Sequence, residues 1–183
     1  MATATKDYWI QTFSGRKFSY LDPQPESICR RDIIHALSRE PRYAGHTLFT
    51  YTVGQHSLLC SKMIDQTYAL QAFMHDFAEA YIKDIPHPLK MLIDKKSGGA
   101  LKEIENGIMY AICDKYGIAY PFPCEVKKVD MRMMSTERKY LLGPSPEPWD
   151  VEEERYDIRI ECLQYFQVVH MMYSRWCELG LPD

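Results

Sequence analysis

The segment Ala72-Phe73-Met74-His75-Asp76-Phe77-Ala78-Glu79-Ala80-Tyr81 sets three ionisable side chains inside a run of apolar and small residues. Its pattern is helical, and a helix of this composition is at least half buried. Burying an imidazole or a carboxylate is unfavourable unless hydrogen bonds or opposite charge compensate it. Other parts of the chain must therefore converge on this segment and supply that compensation. Within a helix His75 and Glu79 are four apart and share a face, while Asp76 lies one residue round and three from Glu79.

Elsewhere the apolar residues recur mostly at three and four, without repeats or low-complexity tracts, which predicts an all-α fold. The first twenty-five residues, with Gly15, Pro23 and Pro25, read as a looped lead-in. A short helix follows Ser27, carries Ile28, Ile33, Ile34 and Leu37 inward, and stops before Pro41. A second runs from about Thr52 to Ile64, with Val53, His56, Leu59, Cys60 and Met63 on one face. The helix holding His75 spans about Thr67 to Asp84 and ends because Pro86 and Pro88 follow. After a Ser97-Gly98-Gly99 loop, a fourth runs from Ala100 to Tyr116, with Gly117 as terminator. A fifth, from about Glu125 to Leu142, places Val126, Val129, Asp130, Met133 and Glu137 at neighbouring helical positions. The last is expected from roughly Glu152 to Leu179, with an apolar stripe through Ile158, Cys162, Phe166, Val169, Tyr173 and Trp176.

A chain of 183 residues suits one domain, residues 1–183, that buries close to ~70% of its unfolded surface. The six cysteines form no Cys-x-x-Cys pair and no secretory leader precedes them, so they are expected as reduced thiols in a cytoplasm. The longest apolar runs fall well short of the roughly 20 residues of a membrane span. A net charge of -3 argues against a general nucleic-acid binder, which carries a basic stripe.

His56, His75, Asp76 and Asp130 are four metal-competent side chains that helices can bring together. Each has a plain structural reading: an inward histidine is commonly a hydrogen-bonded core residue, and Asp130 can pair with Lys127 three residues before it. Taken together they are better explained by a shared ion. Imidazole nitrogen with carboxylate oxygen suits Mn, Fe, Co or Zn, and four protein ligands leave positions open on a six-coordinate ion. Glu79 then lies where it can exchange a proton without taking a coordination position.

At these residues the chain resembles the HD-domain metal-dependent phosphohydrolases, defined by the order His56, His75-Asp76, Asp130. It is most similar to the small bacterial and phage branch containing 5′-deoxynucleotidases and phage dATP triphosphohydrolases. The stretches that carry the likeness are Arg42 to His46, Tyr51 to Ser57, His75 to Pro86, and Val129-Asp130. The resemblance implies an all-α fold with a divalent transition metal between helices, held by His56, His75, Asp76 and Asp130. It implies Glu79 and Asp84 as catalytic acids, and Arg42-Tyr43 as phosphate grip and nucleoside wall. The branch usually has Trp at the second of those positions and one more residue before the histidine. That departure leaves the preferred base open.

His46, Lys83, Lys90 and Lys127 are further cations within reach of an anionic substrate, and Pro88 with Pro86 can form a rigid pocket wall or simply stop a helix. The expected function is a dATP triphosphohydrolase, with Mg accompanying the triphosphate, that releases deoxyadenosine and triphosphate in the cytoplasm, that of a bacterial host if the chain is phage-encoded. The alternatives are a 5′-deoxynucleotidase working by the same attack, and a nucleotide-sensing module without turnover. Family likeness and the long last helix suggest a homo-oligomer with a small-molecule deoxynucleotide as its ligand.

Overall fold

The structure is a computed structural model that describes residues 7–149 and 154–183. Strands β1 (Trp9–Gln11) and β2 (Lys17–Ser19) pair antiparallel, with Ile10 opposite Phe18. Gly15 sits in the connecting turn at φ 84°, a conformation that suits glycine. The helices among the described residues are α1 (Arg30–Leu37), α2 (Val53–Lys62), α3 (Ala69–Met74), α4 (Glu79–Ile82), α5 (His87–Ser97), α6 (Ala100–Tyr116), α7 (Cys124–Leu141) and α8 (Tyr165–Glu178). The fold is thus all-α with one small hairpin. No helix among the described residues is long and apolar enough to cross a membrane.

Helix α3 lies between two apolar clusters. Its Phe73 joins Ile33, Ile34 and Leu37 of α1, Ile108 and Ile112 of α6, and Val168, Met172 and Trp176 of α8. Its Ala72 joins Cys60 of α2 and Val126, Val129, Met133 and Leu141 of α7. The indole of Trp176 stacks on Phe77 at 5.6 Å and meets Phe73 and Tyr116 edge-on. His75 and Asp76, between the two phenylalanines, are therefore backed by a rigid aromatic block. Helix α2 reaches this core through Gly54, where a Cβ would come within 2.6 Å of Met172 Sδ and 3.1 Å of the Leu37 carbonyl.

The lead-in is more structured than the sequence suggested. Asp32 of α1 accepts hydrogen bonds from the Ser14 amide and hydroxyl at 2.6 and 2.8 Å, and Phe13 stacks on His35. Phe18 stacks on Tyr81 and Tyr20 donates to the Tyr81 carbonyl, so the hairpin caps the end of α4.

Two expected helices differ, and between them stands α5, which the sequence did not predict. The span from Thr67 to Asp84 is interrupted: α3 ends at Met74, turns follow through Ala78, α4 is one short turn, and Lys83 adopts φ 74°. Pro86 and Pro88 do not merely stop a helix; they stand at the N-cap and second position of α5, where proline lacks no hydrogen bond. The last helix begins at Tyr165, and residues 154–164 run as non-helical chain. Positions 152–153 of that expected helix lie outside the described residues. Ile158 and Cys162 therefore belong to no helical stripe, and the apolar face of α8 is used internally by Val168, Met172 and Trp176.

Candidate metal centre

Four segments deliver the centre. Thr52 caps α2 by accepting from the Gln55 amide, which starts the helix so that His56 faces α3 and α7. Gln55 on the next position clamps the chain at Glu161 and Leu163 with both ends of its amide. His75 ends α3, Asp76 occupies the turn behind it, and Asp130 projects from the second turn of α7.

The His56 and His75 Nε2 atoms lie 3.2 Å apart. Asp76 Oδ2 is 3.6 Å from the first and 3.2 Å from the second, and Asp130 Oδ1 is 3.3 and 3.8 Å from them. Both histidines have their other nitrogen engaged: His75 Nδ1 with the Ala72 carbonyl at 2.8 Å, His56 Nδ1 with Glu137 Oε1 at 2.5 Å. Those acceptors hold the proton on Nδ1 and turn the Nε2 lone pairs toward each other and toward two carboxylates.

A divalent cation fits this donor set. Bonds of about 2.1 Å at right angles put neighbouring donor atoms about 3 Å apart, close to the separations seen. The electrostatics agree. Burial would favour neutral forms throughout, yet His56 and His75 are held well above the ordinary histidine range by the acids around them. Asp76 and Asp130 are held below the usual carboxylate range, chiefly by the two imidazoles. The imidazoles and acids thus compensate one another, and a bound cation would take the place of the imidazole protons.

Cys60 adds a third donor type. One turn after His56 on α2, its buried Sγ is 3.4 Å from His56 Nε2, and His56, Cys60 and His75 form a cluster able to hold a metal ion. The sequence had placed Cys60 on the inward face of α2 without a role.

Around the centre, Arg42 is buried and bridges two acids, with Nη1 3.2 Å from Asp76 Oδ2 and Nε 3.3 Å from Glu137 Oε2. Backbone pairing of residues 40–42 with 51–53 holds it beside the start of α2. Tyr43 and Ala44 follow at φ 56° and 51°, a left-handed turn that non-glycine residues enter at a cost of about 1–3 kcal/mol each. The Tyr43 hydroxyl donates to Glu137 Oε2 at 2.6 Å, and its amide donates to the Asp84 carboxylate. The Tyr43 ring meets the Arg42 guanidinium at 5.4 Å and the Trp149 ring at 6.1 Å.

Glu79 opens α4. Burial, then Asp76 and Asp84, raise it well above the normal glutamic acid range. Its Oε2 is buried with no hydrogen-bond partner, and its Oε1 lies 3.5 Å from Lys90 Nζ. Asp84 is also raised, mainly by burial.

The remaining sequence candidates divide. Lys90 is tied to Glu105 at 2.8 Å as well as to Glu79, and Lys127 to Asp130 Oδ2 at 2.8 Å, so both stand beside the acids of the centre. Lys83 is exposed and faces Glu40 at 3.7 Å, while His46 and Pro88 are exposed residues of the loop after Arg42 and the first turn of α5. None of these three contacts a ligand residue. Glu137 was missed as a site residue. It is wholly buried and accepts from His56, Arg42, Tyr43 and Tyr51 together. The available signal was its position two turns beyond Asp130 on one face of α7.

No family model matches the chain. It is similar to YfdR, an uncharacterized protein of Escherichia coli, with 39% identity over 145 residues that cover 79% of each. The chain belongs to the YfdR family. An uncharacterized protein of Rhodobacter capsulatus is 30% identical over 132 residues, covering 67% of the chain and 65% of that relative. The stretch shared with the E. coli member of the YfdR family is most of the chain, so its likeness is one of overall fold.

Proposed function

We propose that the chain is a metal-dependent phosphohydrolase of the HD type acting on deoxynucleotides. The observation that carries the reading is the convergence of His56, His75, Asp76 and Asp130, with both Nε2 atoms turned inward and a buried arginine against Asp76. A bound divalent cation would supply Lewis acidity toward a phosphoryl oxygen and make water a nucleophile near neutral pH.

The protein groups do the rest. Arg42, already charged and desolvated, can turn a guanidinium edge from Asp76 to a phosphate oxygen. Glu79, raised in pKa by burial and lacking a partner for one oxygen, can give a proton to the leaving deoxyribose oxygen and take one from water in the next cycle. The Tyr43 ring offers an apolar surface to the base or sugar.

Attack at the α-phosphorus of dATP, releasing deoxyadenosine and triphosphate, follows from the family resemblance. One observation favours the monophosphate reading: Lys83, Lys90 and Lys127 each already face a carboxylate, so fewer free cations await β- and γ-phosphates. The deciding experiment incubates the Mn- or Co-supplemented protein with deoxynucleoside mono-, di- and triphosphates and separates the products. Triphosphate from dATP supports the first reading, and phosphate from dAMP at far higher kcat/KM the second. No turnover of any of them overturns the phosphohydrolase proposal.

A further inference from the structure

We infer that Glu137 is a positioning residue that sets the metal-binding nitrogen of His56 and the phosphate-gripping guanidinium of Arg42 from one buried carboxylate. The inference rests on the phosphohydrolase reading and deepens it.

The carboxylate is buried deep within α7, and its two oxygens divide the work. Oε1 accepts from His56 Nδ1 at 2.5 Å and from the Tyr51 hydroxyl at 2.7 Å. Oε2 accepts from the Tyr43 hydroxyl at 2.6 Å and Arg42 Nε at 3.3 Å. Four donors fill the four acceptor sites of an ionised carboxylate, so no weaker acceptor can replace it in full. The His56 bond keeps the proton on Nδ1 and aims Nε2 at His75, Asp76 and Asp130. The Arg42 bond holds Nε inward and leaves Nη1 at Asp76. The Tyr43 bond fastens the left-handed turn from which Arg42 projects. Metal site and phosphate grip thereby share one support, and a change at Glu137 should weaken both in a protein that still folds.

The test compares wild type with Glu137→Gln and Glu137→Asp. Glutamine keeps the shape but presents an NH2 to donors, and aspartate keeps the charge but withdraws the carboxylate by one methylene. Mn(II) and Co(II) affinities are measured by titration without substrate, the Co(II) absorption spectrum reports the ligand geometry, and kcat and KM are measured with dATP and dAMP. Circular dichroism identifies the folded variants. Metal affinity should fall by about 10- to 100-fold, the scale for losing the partner of a ligating histidine, with an altered Co(II) spectrum and a raised KM. Should Glu137→Gln fail to fold, Glu137→Asp decides, because a residue needed only to neutralise Arg42 would be replaced by aspartate without loss. Wild-type metal affinity and spectrum in the folded variants overturn the inference and leave the phosphohydrolase reading standing. A wild-type protein that takes up neither ion overturns both.

Discussion

The imidazoles of His56 and His75 meet through their Nε2 atoms at 3.2 Å while each Nδ1 is held by a separate acceptor, Glu137 for one and the Ala72 carbonyl for the other. The two Nε2 atoms meet beside two ionised acids, so a shared cation there would compensate charge that burial isolates. His75→Ala or Asp76→Ala should therefore abolish both metal content and turnover, since each removes one of four convergent donors and leaves buried charge uncompensated. Elemental analysis of the purified proteins is the check. Stripping wild type with a chelator should also lower its melting temperature, because an ion at a hundred times its Kd stabilises the native state by about 2.7 kcal/mol. Equal melting with and without metal would count against a site at this position.

Glu79 offers a cleaner separation of chemistry from structure. Its carboxyl is buried, raised in pKa and unpartnered at Oε2, so glutamine mimics the protonated form in shape and charge. Glu79→Gln should keep the fold and the metal, with stability within about 1 kcal/mol, while kcat falls by roughly a hundredfold through loss of a proton donor. Metal content and kcat are measured on the same preparation. Parallel loss of the two would make Glu79 a ligand.

The parts of this centre that could be read in the sequence are those set by local rules. Thr52 before a helical run, Gly117 after one, and the apolar spacing between them marked α2 and α6 closely. His56, His75, Asp76 and Asp130 stood out because ionisable residues on apolar helical faces need an explanation. What escaped depended on distant packing. Residues 154–164 had a helical look, but Gln55, Arg132 and Thr136 bind their backbone groups from α2 and α7 and hold them extended. The α5 start was hidden because Pro86 and Pro88 read as breakers, although proline is equally at home in a first turn. Glu137 looked like one more residue on the α7 face until α2 and the Arg42 turn were known to close over it.

The N-terminal hairpin is joined to α1 through Asp32, and this joint has a pH signature. Burial would raise the Asp32 pKa, but hydrogen bonds from Ser14, Thr12 and Cys29 outweigh it and hold the carboxyl below its usual value. A depressed folded pKa contributes stability that is present above the unfolded value of about 3.9 and is lost as pH falls through the folded one. Asp32→Asn should cost about 1.5–3 kcal/mol at pH 7, the range for hydrogen bonds to a charged acceptor. The gap from wild type in urea denaturation should narrow as pH drops below about 4. A gap that stays constant down to pH 2 would show that Asp32 acts by shape alone.

Gly54 couples core packing to the centre. A Cβ there would meet Met172 Sδ at 2.6 Å, Val168 Cγ1 at 3.1 Å and the Leu37 carbonyl at 3.1 Å. The methionine can swing aside, but the carbonyl belongs to the α1 backbone and cannot, so Gly54→Ala must push α2 outward. Overpacking of this kind costs about 1–3 kcal/mol, and each kcal/mol lowers the melting temperature of a chain this size by roughly 2–4 °C. His56 is two residues further along the same helix, so its Nε2 would move relative to His75 and Asp130, which α3 and α7 hold in place. Metal affinity should therefore weaken along with thermal stability. Met172→Ala alone opens a cavity beside Gly54 that the new methyl group would partly fill, so the double variant should lose less than the sum of the two single losses, a coupling that a double-mutant cycle measures directly. If the two substitutions simply add, and metal affinity is unchanged in the single variant, the close approach of α2 to α8 has no part in placing His56.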